Sequence, residues 1–161
     1  MVAVITEECA LAVSADRMWK VACSAEALQK ACAGFFDAVD MEGDGGPGSV
    51  ITLTLSAAAA ATAGGGVMRS RVVARDDATR VLRSEVLEGG KVSAQLKSQV
   101  TEVKLEAAGD GACVAKFSVE YEMLDGGAAL APEDQAALSG GYLGLLKTVE
   151  AYLVANPAEY A

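Results

Sequence analysis

Histidine is missing from all 161 residues, and that absence removes a large share of enzyme chemistry. Imidazole is the usual general acid or base at neutral pH, the usual partner of a nucleophilic serine or cysteine, and the commonest ligand of catalytic zinc. A site built from carboxylates alone stays open, but no stretch spaces its acids as a calcium loop does. Neither a metal nor another cofactor is expected. Basic residues are scarce: 13 Lys and Arg stand against 22 Asp and Glu, for a net charge of −9. A protein that tracks phosphates needs the opposite balance, so neither nucleic acid nor an anionic membrane surface is an expected partner. No apolar run approaches the ~18 residues of a membrane span. Residues 1–10 hold no basic stretch followed by an apolar core, so no export signal is read there and a cytoplasmic location is expected. Cys9, Cys23, Cys32 and Cys113 lie far apart and form no CxxC pair, which reads as reduced, buried small hydrophobes. Aromatic residues make up only 5% of the chain, leaving few side chains large enough to fill a wide interior.

What remains is a chain with 52% hydrophobic and 22% charged residues, the balance of one globular domain over 1–161. Its most informative stretch is the last. From Pro132 to Ala155 the residues Leu138, Tyr142, Leu145, Val149 and Tyr152 recur at alternating steps of four and three, which puts them on one face of a helix. Leu143, Leu146 and Leu153 widen the stripe. Pro132 suits the first helical position, and Glu133 and Asp134 set negative charge at the positive end of the dipole. Gly140, Gly141 and Gly144 interrupt the helix, each at a cost of roughly 1 kcal/mol against alanine. They read either as close packing on a sheet, as an irregular first turn that delays the regular helix to about Tyr142, or as room for a guest between helix and sheet.

Upstream, residues 2–13 read as a strand. Ser14 and Ser24 are N-caps of two short helices, the first reaching about Ala22 and the second Ala33, closed by Gly34. Met18, Trp19, Leu28, Ala31 and Cys32 supply their inner faces. A strand over 35–41 leads into Glu42, Gly43, Asp44, Gly45, Gly46, Pro47, Gly48 and Ser49. This loop is either a tight connection or, through its successive N–H groups, an anion nest, and it lacks the GK[ST] of a nucleotide loop. Residues 50–55 alternate, with Ile51, Leu53 and Leu55 on one face. The alanine- and glycine-rich run 57–66 reads as a flexible hairpin tip. Strands over 67–74 and 81–87 flank a turn at 76–79, and Arg69, Arg71, Arg75, Arg80 and Arg83 among them read as a cross-strand salt-bridge face. Gly89 and Gly90 turn into a strand over 91–105, whose apolar phase switches between Leu96 and Val103. That switch predicts a bulge near 98–101. After a turn at 109–111, Ala115, Phe117, Val119, Tyr121 and Met123 alternate with Lys116, Ser118, Glu120 and Glu122 in the clearest strand of all.

The order predicts an α+β fold: a seven-stranded antiparallel sheet curled around one long C-terminal helix, with two short helices after the first strand. An interior lined mostly by small residues leaves a cavity plausible on volume grounds.

The glycine loop at 42–49, the segment 86–90 and the C-terminal run 145–157, Leu-Leu-Lys-Thr-Val-Glu-Ala-Tyr-Leu-Val-Ala-Asn-Pro, resemble the plant intracellular pathogenesis-related class-ten family. This is the family of the birch-pollen major allergen, and it includes norcoclaurine-synthase-like members. The resemblance runs through the whole chain in matching order. It implies the helix-grip fold and a defence- or stress-related protein whose cavity binds hydrophobic metabolites or hormones: a cytokinin, flavonoid, steroid or alkaloid. A monomer is expected, because no exposed apolar stripe in the sequence demands a partner. Strand alternation puts Gln99, Thr101, Val103, Ala115, Phe117, Val119 and Tyr121 on the cavity wall, with Leu138, Tyr142 and Leu145 from the helix. Each also suits an ordinary core. The polar tips of Gln99, Thr101, Tyr121 and Tyr142 favour a pocket, and Tyr142 departs from the small residue of birch-type relatives.

The resemblance also raises enzymatic alternatives. A ribonuclease would use the glycine loop, Glu150 and Tyr152 with a glutamate at the position of Lys97, which does not match. A condensing enzyme joining an amine to an aldehyde would use a lysine in the cavity, whereas Lys116 and Lys104 share the outward phase. The gate and latch sequences of the related abscisic-acid receptors are not found. The reading adopted is a binder and carrier without catalytic residues.

Overall fold

The computed structural model describes residues 2–63, 66–89, 93–127 and 129–160. It holds one sheet of seven antiparallel strands in the order β1-β7-β6-β5-β4-β3-β2. The strands are β1 (Ala3–Leu11), β2 (Phe36–Glu42), β3 (Val50–Leu55), β4 (Val67–Asp76), β5 (Val81–Glu88), β6 (Leu96–Ala107) and β7 (Cys113–Met123), and the helices are α1 (Ala15–Ala22), α2 (Ala25–Ala31), α3 (Ala57–Ala63) and α4 (Pro132–Ala155). From β2 to β7 each strand pairs with the next in sequence, β3 and β4 being joined through α3, and β1 lies beside β7 at the other edge. The α+β fold and its order of elements are those the sequence predicts.

Local chemistry explains most boundaries. Ser14 Oγ accepts from Arg17 N and Ser24 Oγ from Ala27 N, so each short helix starts at a satisfied cap. α2 ends at Ala31 with Cys32 as its cap, two residues short of the expected end and without Gly34. The strand expected over 91–105 begins only at Leu96, after a 3-10 turn over Ser93–Gln95; Gly90, Lys91 and Val92 lie outside the described residues. The bulge falls between Leu96 and Ser98, just ahead of its expected place.

Two expectations are corrected. Ala57–Ala63 is a helix and not a hairpin tip, because Ser56 caps it by accepting from Ala59 N and an alanine run has the highest helix propensity. Gly64 and Gly65 lie outside the described residues. Gly140, Gly141 and Gly144 sit in a regular helix on its solvent face, and a Cβ at any of the three would meet nothing within 4 Å. They neither pack closely on the sheet nor open space between sheet and helix.

The core lies between the inner face of the sheet and the helices. Val13, Met18, Trp19, Val21, Ala27, Cys32, Phe36, Leu55, Leu105, Val149 and Leu153 form its larger part. Phe117, Val119, Tyr121 and Leu130 form a second cluster, against which Leu138, Tyr142, Leu143 and Leu146 of α4 pack. The cysteines are all free thiols, with Cys32 and Cys113 buried and Cys9 and Cys23 partly so.

Candidate functional site

The antiparallel register sets Gln99 beside Tyr121, Thr101 beside Val119 and Val103 beside Phe117. Paired residues share a face, so these side chains of β6 and β7 all point toward α4. Gln99, Thr101, Ala115, Phe117, Val119 and Tyr121 are buried, while Val103, Leu138, Tyr142 and Leu145 are partly buried. Strand and helix phase thus bring all ten candidate residues to facing surfaces. Leu145 packs on the larger core cluster, whereas Leu138 and Tyr142 pack on the smaller one with Phe117 and Tyr121.

Tyr142 sits at the centre of this group. Its ring lies against Phe117, centroids 5.6 Å apart and planes tilted by 46°. Its hydroxyl accepts from Gln99 Nε2 at 3.2 Å and shares a hydrogen bond with Thr101 Oγ1 at 2.9 Å. Ser93 Oγ donates to Gln99 Oε1 at 2.7 Å, which fixes the amide with its NH2 toward the phenol. Burial pushes the Tyr142 phenol above its ordinary pKa, against the smaller opposing pull of Thr101 and Gln99. The fourth polar tip, Tyr121, accepts from Leu130 N at 3.1 Å. The four polar groups that argued for a pocket are therefore satisfied by protein partners, and among the described residues no buried side-chain nitrogen or oxygen lacks one.

Burial is lower at several positions of the same face beyond β6, although Val72, opposite Ser84, is fully buried. Register carries the inner face from Thr101 to Ser84 and from Val103 to Leu82, and then to Val86, Ser70, Met68, Leu53 and Ile51. Ser84, Leu82, Val86, Ser70, Met68, Leu53 and Ile51 are only partly buried, although they line the same face as the buried Val119 and Phe117. The alternation of Leu82, Ser84 and Val86 was the signal that could have nominated β5; the arginines between them drew attention to the opposite face. A hollow of about 260 Å³ lies beside Gln99, lined by Val86, Ser93, Ala94 and Leu96 among others. A broader one of about 570 Å³ opens over Glu102, Lys104, Lys116 and Ser118 on the outward face, where charges of both signs rim it.

The glycine loop is closed on itself. Gly45 N donates to the buried Ser49 Oγ, Gly46 N to Asp44 Oδ1, Gly48 N to Val72 O and Ser49 N to Gly46 O. With these N–H groups engaged, the loop offers no anion nest there, and it serves as a strand connection. Gly43 has φ +112°, and a Cβ there would lie 2.5 Å from Ser49 Oγ, so glycine is required.

Of the five arginines, Arg71 pairs across strands with Glu85 and Arg83 with Glu102 and Glu120, whereas Arg80 reaches Asp16 of α1. Arg75 departs from that face. A register shift between Val72 and Ala74 turns it toward α1, where it lies over the Trp19 ring at 5.9 Å and pairs with Asp77, which also accepts from Trp19 Nε1. Glu150 and Tyr152 serve the scaffold. Glu150 Oε2 accepts from Ala12 N, and the Tyr152 hydroxyl donates to Glu159. Lys104 and Lys116 face each other across β6 and β7 and pair with Glu106 on the outward face. Lys20, Lys30, Lys97 and Lys147 are exposed, and Lys91 lies outside the described residues. No group of three or more metal-ligating side chains occurs among the described residues, and no described helix is long and apolar enough to cross a membrane.

A seven-stranded antiparallel sheet gripping a long C-terminal helix, with a mixed polar and apolar inner wall, defines a helix-grip protein. The profile of the Pathogenesis-related protein Bet v 1 family matches residues 1–156, and the chain belongs to that family. Pathogenesis-related protein STH-21 of Solanum tuberosum is 35% identical over 94 residues, covering 58% of this chain and 60% of that one; the match thus spans less than two thirds of the potato relative. Pathogenesis-related protein 10 of Glycine max is 32% identical over 72% of this chain and 71% of its own length. Among solved structures, Ara h 8.0201 superposes with a TM-score of 0.76 at 26% identity, covering 97% of this chain and all (100%) of that one. Norcoclaurine synthase from Thalictrum flavum, in complex with dopamine and hydroxybenzaldehyde, shares the fold with a TM-score of 0.70 at 21% identity, over 97% of this chain and 88% of that one.

Proposed function

We propose that this protein is an intracellular binder and carrier of small hydrophobic plant metabolites or hormones, acting in defence or stress without covalent chemistry of its own. The observation that carries the reading is the uneven burial of the sheet's inner face, beside a hollow lined by Val86, Ser93 and Gln99. Leu53, Met68, Leu82 and Val86 keep solvent contact on the face where Phe117, Val119 and Tyr121 are buried. A guest that covers ~200 Å² of that apolar surface gains on the order of 5 kcal/mol before ordering costs. Ser70, Ser84 and the Gln99 network supply the few polar contacts that orient it. Family membership agrees with this reading. The condensing reaction has less behind it, because Lys20, Lys30, Lys97, Lys104, Lys116 and Lys147 all lie on the outer surface.

The test is a titration of the purified protein with a cytokinin, a flavonoid and a steroid, followed by calorimetry and by displacement of a fluorescent apolar dye. Saturable one-site binding of at least one class is expected. Absence of heat and of dye displacement across all three removes the carrier reading.

A further inference from the structure

Resting on that carrier reading, we infer that Tyr142 is a built-in stand-in for the guest, and that the site it occupies recognises a hydroxylated aromatic ring. A side chain that fills a binding site reports the chemistry the site accepts. Here the occupant is a phenol on a short stem. Its ring lies tilted against Phe117 with centroids 5.6 Å apart, and its oxygen is held between Gln99 Nε2 and Thr101 Oγ1. The receptor half of this contact is organised apart from the tyrosine. Ser93 holds the Gln99 amide from behind, and Gln99 and Thr101 are fixed in the middle of β6 by backbone pairing to Tyr121 and Val119. Two polar groups buried at this depth need a partner, and at present Tyr142 supplies it.

Tyr142 is also the movable half. It projects from α4, and of the helix neighbours that could hold its rotamer, at three and four residues away, Leu138, Leu145 and Leu146 are only partly buried. A free phenol that replaces the ring makes the same ring contact and the same two hydrogen bonds, while the tyrosine swings aside. A purely apolar guest leaves Gln99 and Thr101 unpaired. The preference is therefore for phenols over hydrocarbons of equal size.

Removing the stand-in tests this. Tyr142→Ala should bind 4-methylphenol, the detached side chain itself, with a rise in melting temperature and saturable heat. Its affinity should be roughly tenfold or more above that for toluene, the measure of hydrogen bonds that only the phenol makes. Wild-type protein should bind 4-methylphenol at least about tenfold more weakly than the variant, since its own ring must leave first. Tyr142→Leu, which keeps apolar bulk on the helix, provides the same comparison if the alanine variant does not fold. Equal affinity for toluene and 4-methylphenol overturns this inference alone and leaves a carrier with an apolar site. Wild-type affinity equal to the variant's also overturns it, because the guest then sits elsewhere. Failure of both variants to take up 4-methylphenol overturns it as well, whereas the carrier reading falls only on the metabolite titration of the wild-type protein.

Discussion

The guanidinium of Arg17 on α1 donates to the main-chain carbonyl of Asn156, the cap of α4, at 2.9 Å. The same side chain reaches Leu153 O and Glu159 O at 3.0 and 2.9 Å, so one arginine from the first helix closes the C-terminus of the last. A helix end leaves its final carbonyls without intrahelical donors and carries partial negative charge, and α4 has no basic residue of its own in its last turn. The planar fork of an arginine suits several converging oxygens.

Arg17→Ala should accordingly cost about 2–3 kcal/mol, the range for charged hydrogen bonds at a helix terminus. Arg17→Lys should recover less than half, because Nη2 reaches the three carbonyls while Nε holds Glu159 O as well, a two-nitrogen grip that a single ammonium lacks. Urea unfolding measures both. A wild-type midpoint for the alanine variant would show that water caps the helix equally well.

The three glycines of α4 give the opposite sign. Each added Cβ enters open space on the solvent face of a regular helix, so Gly140→Ala, Gly141→Ala and Gly144→Ala should each stabilise by about 0.5–1 kcal/mol. The melting temperature should rise with each, close to additively. A loss of stability in any of them would mean that this helix face is covered by something outside the chain.

Those glycines also mark where sequence reading reaches its limit. The periodicity of α4, the Ser14 and Ser24 caps and the alternation of β3 and β7 are local signals, and each element formed where they pointed. Which side of α4 the glycines occupy follows from the same periodicity, since they fall opposite Tyr142 and Val149, yet their cost drew a packing explanation that the fold does not use. That the ten candidate residues of β6, β7 and α4 face one another was legible from phase. Their mutual satisfaction was not: that Ser93 orients Gln99 and that Leu130 N serves Tyr121 depends on the turn before β6 and the loop before α4, where no period operates. The inward turn of Arg75 was hidden for a related reason. One register shift inside β4 reverses its side-chain phase, and nothing in residues 67–76 announces it.

Tyr142→Phe separates the ring from its hydroxyl. The phenylalanine keeps the Phe117 contact but leaves Gln99 Nε2 and Thr101 Oγ1 without their shared partner. A loss of about 1–3 kcal/mol is expected, the cost of unmet buried polar groups. Denaturant unfolding checks it. A neutral result would mean that water already reaches the network.

In the glycine loop the contrast lies between two neighbours. Gly43→Ala forces a Cβ to 2.5 Å from Ser49 Oγ at a φ of +112°, and Ser49 has no room to yield, being buried and bound to Gly45 N and Val72 N. A cost of about 2 kcal/mol or more is expected. Gly46→Ala meets only the Asp44 carboxylate at 3.1 Å without positive φ, so it should change stability by less than about 0.5 kcal/mol. Thermal unfolding of the two variants side by side is the check, and equal effects would place the loop's constraint elsewhere.

Alkaline pH tests the buried thiols. Burial pushes Cys32 from 9.0 up to about 11; it does the same for Cys23, with Arg75 pulling down and Asp77 pushing up by less. A thiol whose folded pKa is raised stays protonated in the native state after its unfolded counterpart has ionised. The stability this represents is complete below pH 9 and is lost as pH rises from 9.0 through about 11. Unfolding midpoints should therefore fall across that window. The Cys23→Ser, Cys32→Ala pair should flatten the fall relative to wild type at the same pH values, because the ion pairs of Lys30 and Lys116 titrate in both proteins. Iodoacetamide at pH 9 provides a second measure: buried Cys32 should remain unmodified in the native protein while Cys9, on edge strand β1, reacts. Rapid alkylation of Cys32, or an alkaline limb identical in the double variant, would show that this thiol is not held neutral by the core.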